Sequence, residues 1–402
     1  MAQKIYTLTP LTGVHIGTGE ELTPLDYKIA SKVGNLDLKK PTYWKFSNDR
    51  ILQRLLGDKN EQAVSAFERA SVDGNMKELQ KFFQENCTNT KDTDYPCEVT
   101  HGFLKTYKAN LGKDPHQNAA KVLQMYRTEG TPRPVIPGSS LKGSIRTALL
   151  NRYLADLSDN DYDFMQKDFD QEQKKSPRER NFNRYEERIQ QKLFDYSDAK
   201  NDPLRAVSFS DCGFKATGTQ LVGGLNLVSY NKHTENLEPV GAQIQAEVLR
   251  GELLGGKAIS ELCISINEKL QKAPFPLKKD GQPKCIKTIT FEDIQKSCNY
   301  FFLNEFHGEY EKFYKQVNDG TEELILRLKN MLEKAVNTRG NFIIRVGRWS
   351  QVEFVTLEES FRKPETRIVK GKPLGYGGTR TLFDYDGKYV PMGWCILSEK
   401  EL

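Results

Sequence analysis

The stretch Ile136-Pro137-Gly138-Ser139-Ser140-Leu141-Lys142-Gly143-Ser144-Ile145-Arg146-Thr147-Ala148-Leu149-Leu150 decides how the chain is read. Pro137 and Gly138 break whatever precedes them, and Ser139 or Ser140 supplies a natural N-cap. Apolar residues at 141, 145, 148, 149, 153, 154 and 157 then mark one face of an amphipathic helix. Lys142 and Arg146 stand four apart, on one face away from that stripe. A helix N-terminus offers free N–H groups and a favourable dipole to phosphate. Two hydroxyls, two cations and the small Gly138 and Gly143 therefore make this segment a candidate sugar-phosphate seat, although an ordinary capped helix with a solvated basic face has the same spacing. It is not a P-loop, because the lysine precedes the second glycine. Gly251-x4-Gly256-Lys257 comes nearer, but Ala258 stands where the magnesium-binding hydroxyl is needed.

Upstream, residues 4–9 are rich in β-formers and lead into Gly13-Val14-His15-Ile16-Gly17-Thr18-Gly19. His15 could act as a general acid–base, bond to RNA, or bond to the protein's own backbone, and no second catalytic partner is identifiable. Residues 48–128 show helical spacing (Ile51, Leu55, Leu56, Val64, Phe67, Leu79, Phe82, Phe83), which predicts an inserted, mostly helical segment. Residues 166–192 carry eight bases and six acids and read as a solvated helix or linker at a domain boundary. Downstream, alternation predicts strands at Val207/Phe209, Ile244/Ala246/Val248, Phe342/Ile344/Val346 and Val352/Phe354, with a last strand near 389–397. A helical stretch spans about 291–336, with Thr321 capping its second helix. Strands and helices intermix in both halves, so the expectation is two α+β units: 1–200 with the insertion at about 40–134, and 201–402.

Charge sharpens the picture. The 402 residues hold 59 Lys and Arg against 54 Asp and Glu, a net +5 that excludes a generally basic protein. The window 361–380 alone carries six bases against Glu365, which equals that whole excess. Such a local seat suits an anion. Arg345 and Arg348 with Trp349, and then Arg367, Lys370, Lys372 and Arg380 around Tyr376, could hold phosphates and stack bases, while core packing is the plainer role for either aromatic. The seven cysteines are widely spaced with no C-x-x-C, as expected for reduced thiols. Cys87, Cys97, His101 and His116 lie close enough in sequence to be weighed as zinc ligands, but lack the usual tight pairs. Neither a secretory leader nor a membrane-spanning run is apparent, so a cytoplasmic protein is expected.

Residues 14–19 and 136–147 together resemble the RAMP superfamily of CRISPR-associated proteins, with Gly375-Tyr376-Gly377-Gly378-Thr379-Arg380 a looser likeness to a family glycine loop. The length, the helical insertion and the Pro-Leu-Gly ending are similar to the fifth-subunit family of type III-A (Csm) effectors. The resemblance implies two ferredoxin-like (RRM-like) domains, the first split by the insertion. It further implies a non-catalytic subunit that caps the 3′ end of the crRNA at the head of the backbone filament and assists crRNA maturation in antiviral defence. Implied partners are crRNA, the backbone and small Csm subunits, nearby target RNA and recruited host nucleases, with no cofactor, metal or membrane. The residues assigned to RNA are His15, Gly17, Gly19, Ser139, Ser140, Lys142, Arg146, Arg345, Arg348, Arg367, Lys370, Lys372, Tyr376 and Arg380. Asp26 and Asp37 lie near where backbone subunits carry a cleaving aspartate, but the surrounding motif does not match, so no catalytic residue is assigned. The competing readings are a metal-independent endoribonuclease with His15 as acid–base, and a protein scaffold docking through 166–192 and the insertion.

Overall fold

The computed structural model describes residues 1–114, 119–175, 182–196, 199–272, 288–318, 320–358, 361, 368–369, 372–373 and 379–400. The architecture is mixed α+β, built on two main sheets. In the smaller, five-stranded sheet the N-terminal strand Ala2–Pro10 is central. It pairs antiparallel with Ser260–Ile266 on one side and Trp394–Glu399 on the other, while Val207–Phe209 and Asn341–Arg345 form the edges. Tyr6 and Leu8 point inward and are buried, whereas Thr7 and Thr9 on the alternate face are half-exposed. The motif helix Gly138–Ala155 and the helix Phe291–Glu309 pack together against the buried face, so Leu141, Ile145, Leu149, Cys298 and Phe302 share one core with the strands.

Among the described residues the larger sheet has ten strands, running from Gly17–Leu22 through Val122–Met125, Ile244–Leu249, Gln220–Asn231, Thr93–Val99 and Leu36–Phe46 to Tyr27–Val33, with Asn236–Pro239 and Arg380–Tyr385 also paired to Gln220–Asn231 and Lys388–Val390 paired to Arg380–Tyr385. Most pairs are antiparallel. Gln220–Asn231 with Thr93–Val99, and Ile244–Leu249 with Val122–Met125, are parallel. Both sheets draw strands from either side of residue 200, so the expected division there does not coincide with the sheets. The insertion is helical at Asn48–Gly57, Glu61–Val72, Met76–Asn86 and His101–Asn110. Its strands Thr93–Val99 and Val122–Met125, however, belong to the larger sheet.

Three local expectations are corrected. Of the two readings of the charged stretch 166–192 the helix holds, but it is not simply solvated: Asp159–Lys174 and Phe182–Leu193 are helices that bury Met165, Phe169, Tyr185 and Ile189. These apolar residues recur every four positions, a stripe that the surrounding charge obscures. Val352–Phe354 is a 3-10 turn entered from Gln351 at φ 67°, not a strand, and only Phe354 is fully buried. Thr321 opens its helix without capping it, because its hydroxyl accepts from Tyr389 N at 3.0 Å, whereas Thr290 and Asp293 form a capping box at 291.

The motif helix also starts differently from the expectation. Its first residue is Gly138, and neither Ser139 nor Ser140 caps it. Gly138 N donates instead to Asp211 Oδ1 at 2.7 Å, a cap supplied from far along the chain. A Cβ at Gly138 would lie 2.2 Å from Phe209 O, so the helix start is clamped on the edge strand and admits only glycine. Gly143, almost a full turn beyond Ser140, faces open space, and a Cβ there would meet nothing within 4 Å. Gly138→Ala should therefore cost about 3 kcal/mol or more in urea unfolding through overpacking, and Gly143→Ala should stabilise by about 1 kcal/mol. Equal effects would contradict this packing.

Candidate nucleic-acid interface

The first glycine motif is the passage between the two sheets. Leu11 N donates to Trp394 O at 2.8 Å, Gly393 N to Gly13 O at 2.8 Å, and Val14 bridges to Leu249 of the larger sheet. His15 follows, fully buried. Its Nδ1 lies 2.7 Å from the backbone carbonyl of Glu247, which can only accept, so Nδ1 carries the proton and Nε2 holds the lone pair. Nε2 has no hydrogen-bond partner among the described residues and lies beneath Gly17, 3.1 Å from where a Cβ would stand. The ring packs on Trp349 with centroids 5.0 Å apart. Burial pushes the imidazole below its ordinary pKa, outweighing the Glu247 contacts that oppose it, so His15 is neutral.

Glu247 itself is buried. Its carboxylate accepts from Arg127 Nη1 at 2.8 Å, Tyr95 OH at 2.8 Å and Met125 N at 3.0 Å. Arg127 also lies 3.6 Å over the Tyr95 ring. On the other side of His15, its carbonyl accepts from Arg348 N at 2.8 Å. Gly347 has φ 93°, and a Cβ there would meet His15 O at 2.6 Å, so the turn after the strand Asn341–Arg345 requires glycine. Ser144 Oγ donates to Arg345 O at 2.9 Å, tying the motif helix to that same strand.

These contacts gather residues 16–17, the turns 140–147 and the segment 345–350 around one groove of about 450 Å³. Its lining includes Gly17, Ser140, Gly143, Ser144, Thr147 and the exposed Arg348. Ser139 is exposed on the same helix start, and Gly19 is exposed at φ 90° with open space around it. Hydroxyls, glycines and one guanidinium form a surface that a sugar-phosphate backbone can approach closely.

The other cations read as RNA contacts are committed elsewhere. Lys142 Nζ donates to Val207 O at 3.0 Å, and burial lowers its pKa. Arg146 is held by Asp202 at 2.6 Å, Gln190 at 2.9 Å and Tyr196 at 3.2 Å. Arg345 and Arg380 are buried and share Glu309, at 2.9 and 2.8 Å, and Arg380 also reaches Glu353 at 3.0 Å. Their guanidiniums hold the core together because the strand ends that carry them face inward, so this geometry gives neither a route to RNA. Arg367, Lys370 and Tyr376 lie outside the described residues, as does the Lys372 side chain. Of the aromatics weighed for stacking, Trp349 packs on His15.

The remaining candidates also find local roles. Cys87 and Cys97 are buried in separate apolar clusters, and His116 lies outside the described residues. Among the described residues no group of three or more His, Cys, Asp or Glu could hold a metal, and no helix is long and apolar enough to cross a membrane. Asp26 accepts from Thr23 N and Asp37 from Lys39 N, both as turn carboxylates. Sequence reasoning misses Asp211, Glu247, Arg127 and Gly347. The first three are isolated in sequence and carry no pattern; Gly347 is visible as a lone glycine directly after an apolar strand.

The depressed His15 pKa has a definite pH signature. Unfolded, the imidazole protonates near 6.5; folded, it resists protonation, so the folded state binds fewer protons below that pH. The stability contributed by neutral His15 is full above pH 6.5 and is lost as pH falls. Urea unfolding should show wild-type stability dropping by up to about 1 kcal/mol per pH unit below pH ~6, with that component absent in His15→Gln. Identical pH slopes in the two proteins would contradict a buried neutral His15.

No curated protein matches the sequence. Among solved structures, one chain of the cryo-EM Csm–crRNA–target RNA ternary complex of a type III-A CRISPR–Cas system superposes with a TM-score of 0.59 at 19% identity, covering 99% of this chain and 100% of that one. The crystal structure of T. onnurineus Csm5 superposes with a TM-score of 0.51 at 18% identity, covering 97% and 99%. The family model of the RAMP superfamily matches residues 7–351, most of the chain, and the protein therefore belongs to the RAMP superfamily.

Proposed function

We propose that this protein is a non-catalytic crRNA-binding subunit of a type III-A (Csm) CRISPR effector, capping the 3′ end of the crRNA at the head of the backbone filament and assisting its maturation in antiviral defence. The observation that carries this reading is the groove, where both family motifs meet the Gly347–Arg348 turn. Gly143 adds a specific argument. It lies inside a helix, where glycine costs about 1 kcal/mol relative to alanine, yet no neighbour needs its smallness. A backbone passing over the groove from outside would need it. Full-length superposition on a chain of a crRNA-bound Csm complex supports the same assignment.

In this reading crRNA and the other Csm subunits are the direct partners, target RNA passes nearby, host nucleases act on the free end, and the complex is cytoplasmic. We also read the five-stranded sheet as a ferredoxin-like βαββαβ unit. The strands Ala2–Pro10, Val207–Phe209, Ser260–Ile266 and Trp394–Glu399 would be its first to fourth, the fourth lying antiparallel beside the first, with Asn341–Arg345 an added strand on the outer edge. The burial of His15 weighs against the endoribonuclease alternative. One ring nitrogen is committed to Glu247 and the other lies under Gly17, so neither reaches a substrate in this geometry.

Gly143→Glu tests the groove, because the position has room for a side chain and the carboxylate would face a passing phosphate. The variant should fold normally and lose at least tenfold in crRNA affinity; unchanged affinity would overturn the reading. Arg348→Ala should weaken binding and lower the salt slope by about one counterion.

A further inference from the structure

We propose that the groove continues into a recess that takes one unstacked nucleobase of the bound RNA, an inference that rests on the reading of the groove given above. A second cavity of about 360 Å³ adjoins the first, within the size of ordinary small-ligand pockets. Thr147 and Val355 wall both cavities, so the two form one trough along the motif helix. Polar and apolar groups line both parts, but aromatic side chains line only the second. The first part presents Ser140, Gly143 and Ser144 beside Ile16, and the second presents Leu150, Phe169, Tyr185, Ile189 and Phe361 beside Glu186 and Gln190. Phe169 lies 5.1 Å from Tyr185 and 5.9 Å from Phe361 between ring centroids, giving the recess a continuous aromatic side.

A nucleotide has the same order of parts: a charged, hydroxylated backbone joined to a flat, largely apolar heterocycle. RNA-binding proteins that read single strands splay bases out in this way. The recess also holds an oriented polar group. Gln190 Oε1 accepts from Arg146 Nε at 2.9 Å, and Arg146 is itself fixed by Asp202 and Tyr196. The Gln190 carbonyl is thereby turned toward the guanidinium, which leaves its N–H groups as donors for a ring nitrogen or carbonyl of a base. This gives Arg146 a positioning role in place of the phosphate contact expected from sequence. The facing wall, 347–355, contains two non-glycine residues at positive φ, Trp349 at 66° and Gln351 at 67°. Backbone in this unfavourable region tends to be held where a site requires it. Here it is held by Arg348 N on His15 O and by Gln351 Nε2 on Thr381 O at 3.1 Å.

The test uses the full-length protein and a set of single-stranded RNAs of one sequence, each lacking one base in turn. One abasic position should weaken wild-type binding about tenfold, as expected when one base loses an apolar contact. Thr147→Trp, which fills the passage, should weaken the intact RNA similarly and make the protein indifferent to that position. Val355→Glu is the second variant, since Val355 is 58% exposed and its replacement leaves the core intact; it should behave as Thr147→Trp does. Indifference of the wild type to every abasic position, with normal affinity for the intact RNA, overturns the recess and leaves the groove standing. Failure of the wild type to bind any of these RNAs overturns both. If Val355→Glu disrupts only association with a neighbouring protein subunit and leaves all RNAs unaffected, the recess takes protein and the proposal is wrong.

Discussion

A single buried carboxylate fixes the middle of the molecule. Glu247 has no exposure to solvent, and an unpaired carboxylate there would cost several kcal/mol. Its neutralisation by Arg127, Tyr95 and the Met125 amide draws three strands of the larger sheet together. Its backbone carbonyl then holds His15, and through His15 the passage from the smaller sheet. Because the His15 carbonyl receives Arg348 N, the same point sets the turn that forms the groove wall. The groove is thus a by-product of how one charge is kept satisfied, and its geometry is as rigid as that network.

A second ionic knot does comparable work at the far end of the core. Glu309 ends the helix Phe291–Glu309 and receives both Arg345 and Arg380, while Phe354 and Trp394 pack against the Arg345 guanidinium at 4.2 and 5.2 Å. Removing one partner of such a group leaves a stranded charge and costs about 3–5 kcal/mol. Three of the arginines read from sequence as nucleic-acid contacts, namely 146, 345 and 380, are instead held by carboxylates within the protein. What remains for a ligand at the groove is mostly hydroxyl, glycine and Arg348. Such a site contacts a backbone closely while adding little long-range attraction, which suits one RNA strand held within a protein assembly.

The fold class and both motifs are legible because they are written in local patterns: the β-rich start, the apolar stripe after Gly138, and the glycines around His15. The helical pair at 159–193 is legible as one of two readings, but its burial is not, since its charged outer faces outnumber the few apolar residues that bury it. Lys142 and Arg146 share one helix face, as their spacing demands, but spacing cannot say what that face meets; Val207, Gln190, Tyr196 and Asp202 come from up to 65 residues away. Arg345 and Arg380 mislead for the same reason, because their partner Glu309 is remote in sequence and gives no sign of burial. Asp211 as the cap of the motif helix, and the sharing of sheets across residue 200, are likewise properties of long-range pairing.

The central claim is that RNA lies in the groove between the motif helix and the Gly347–Arg348 turn. Photocrosslinking RNA to the assembled complex, followed by identification of the modified peptides, tests it most directly. The account predicts crosslinks in peptides that carry Gly17, Ser140–Thr147 and Arg348. Crosslinks confined to the helices at 48–110, with none in those three segments, would contradict it.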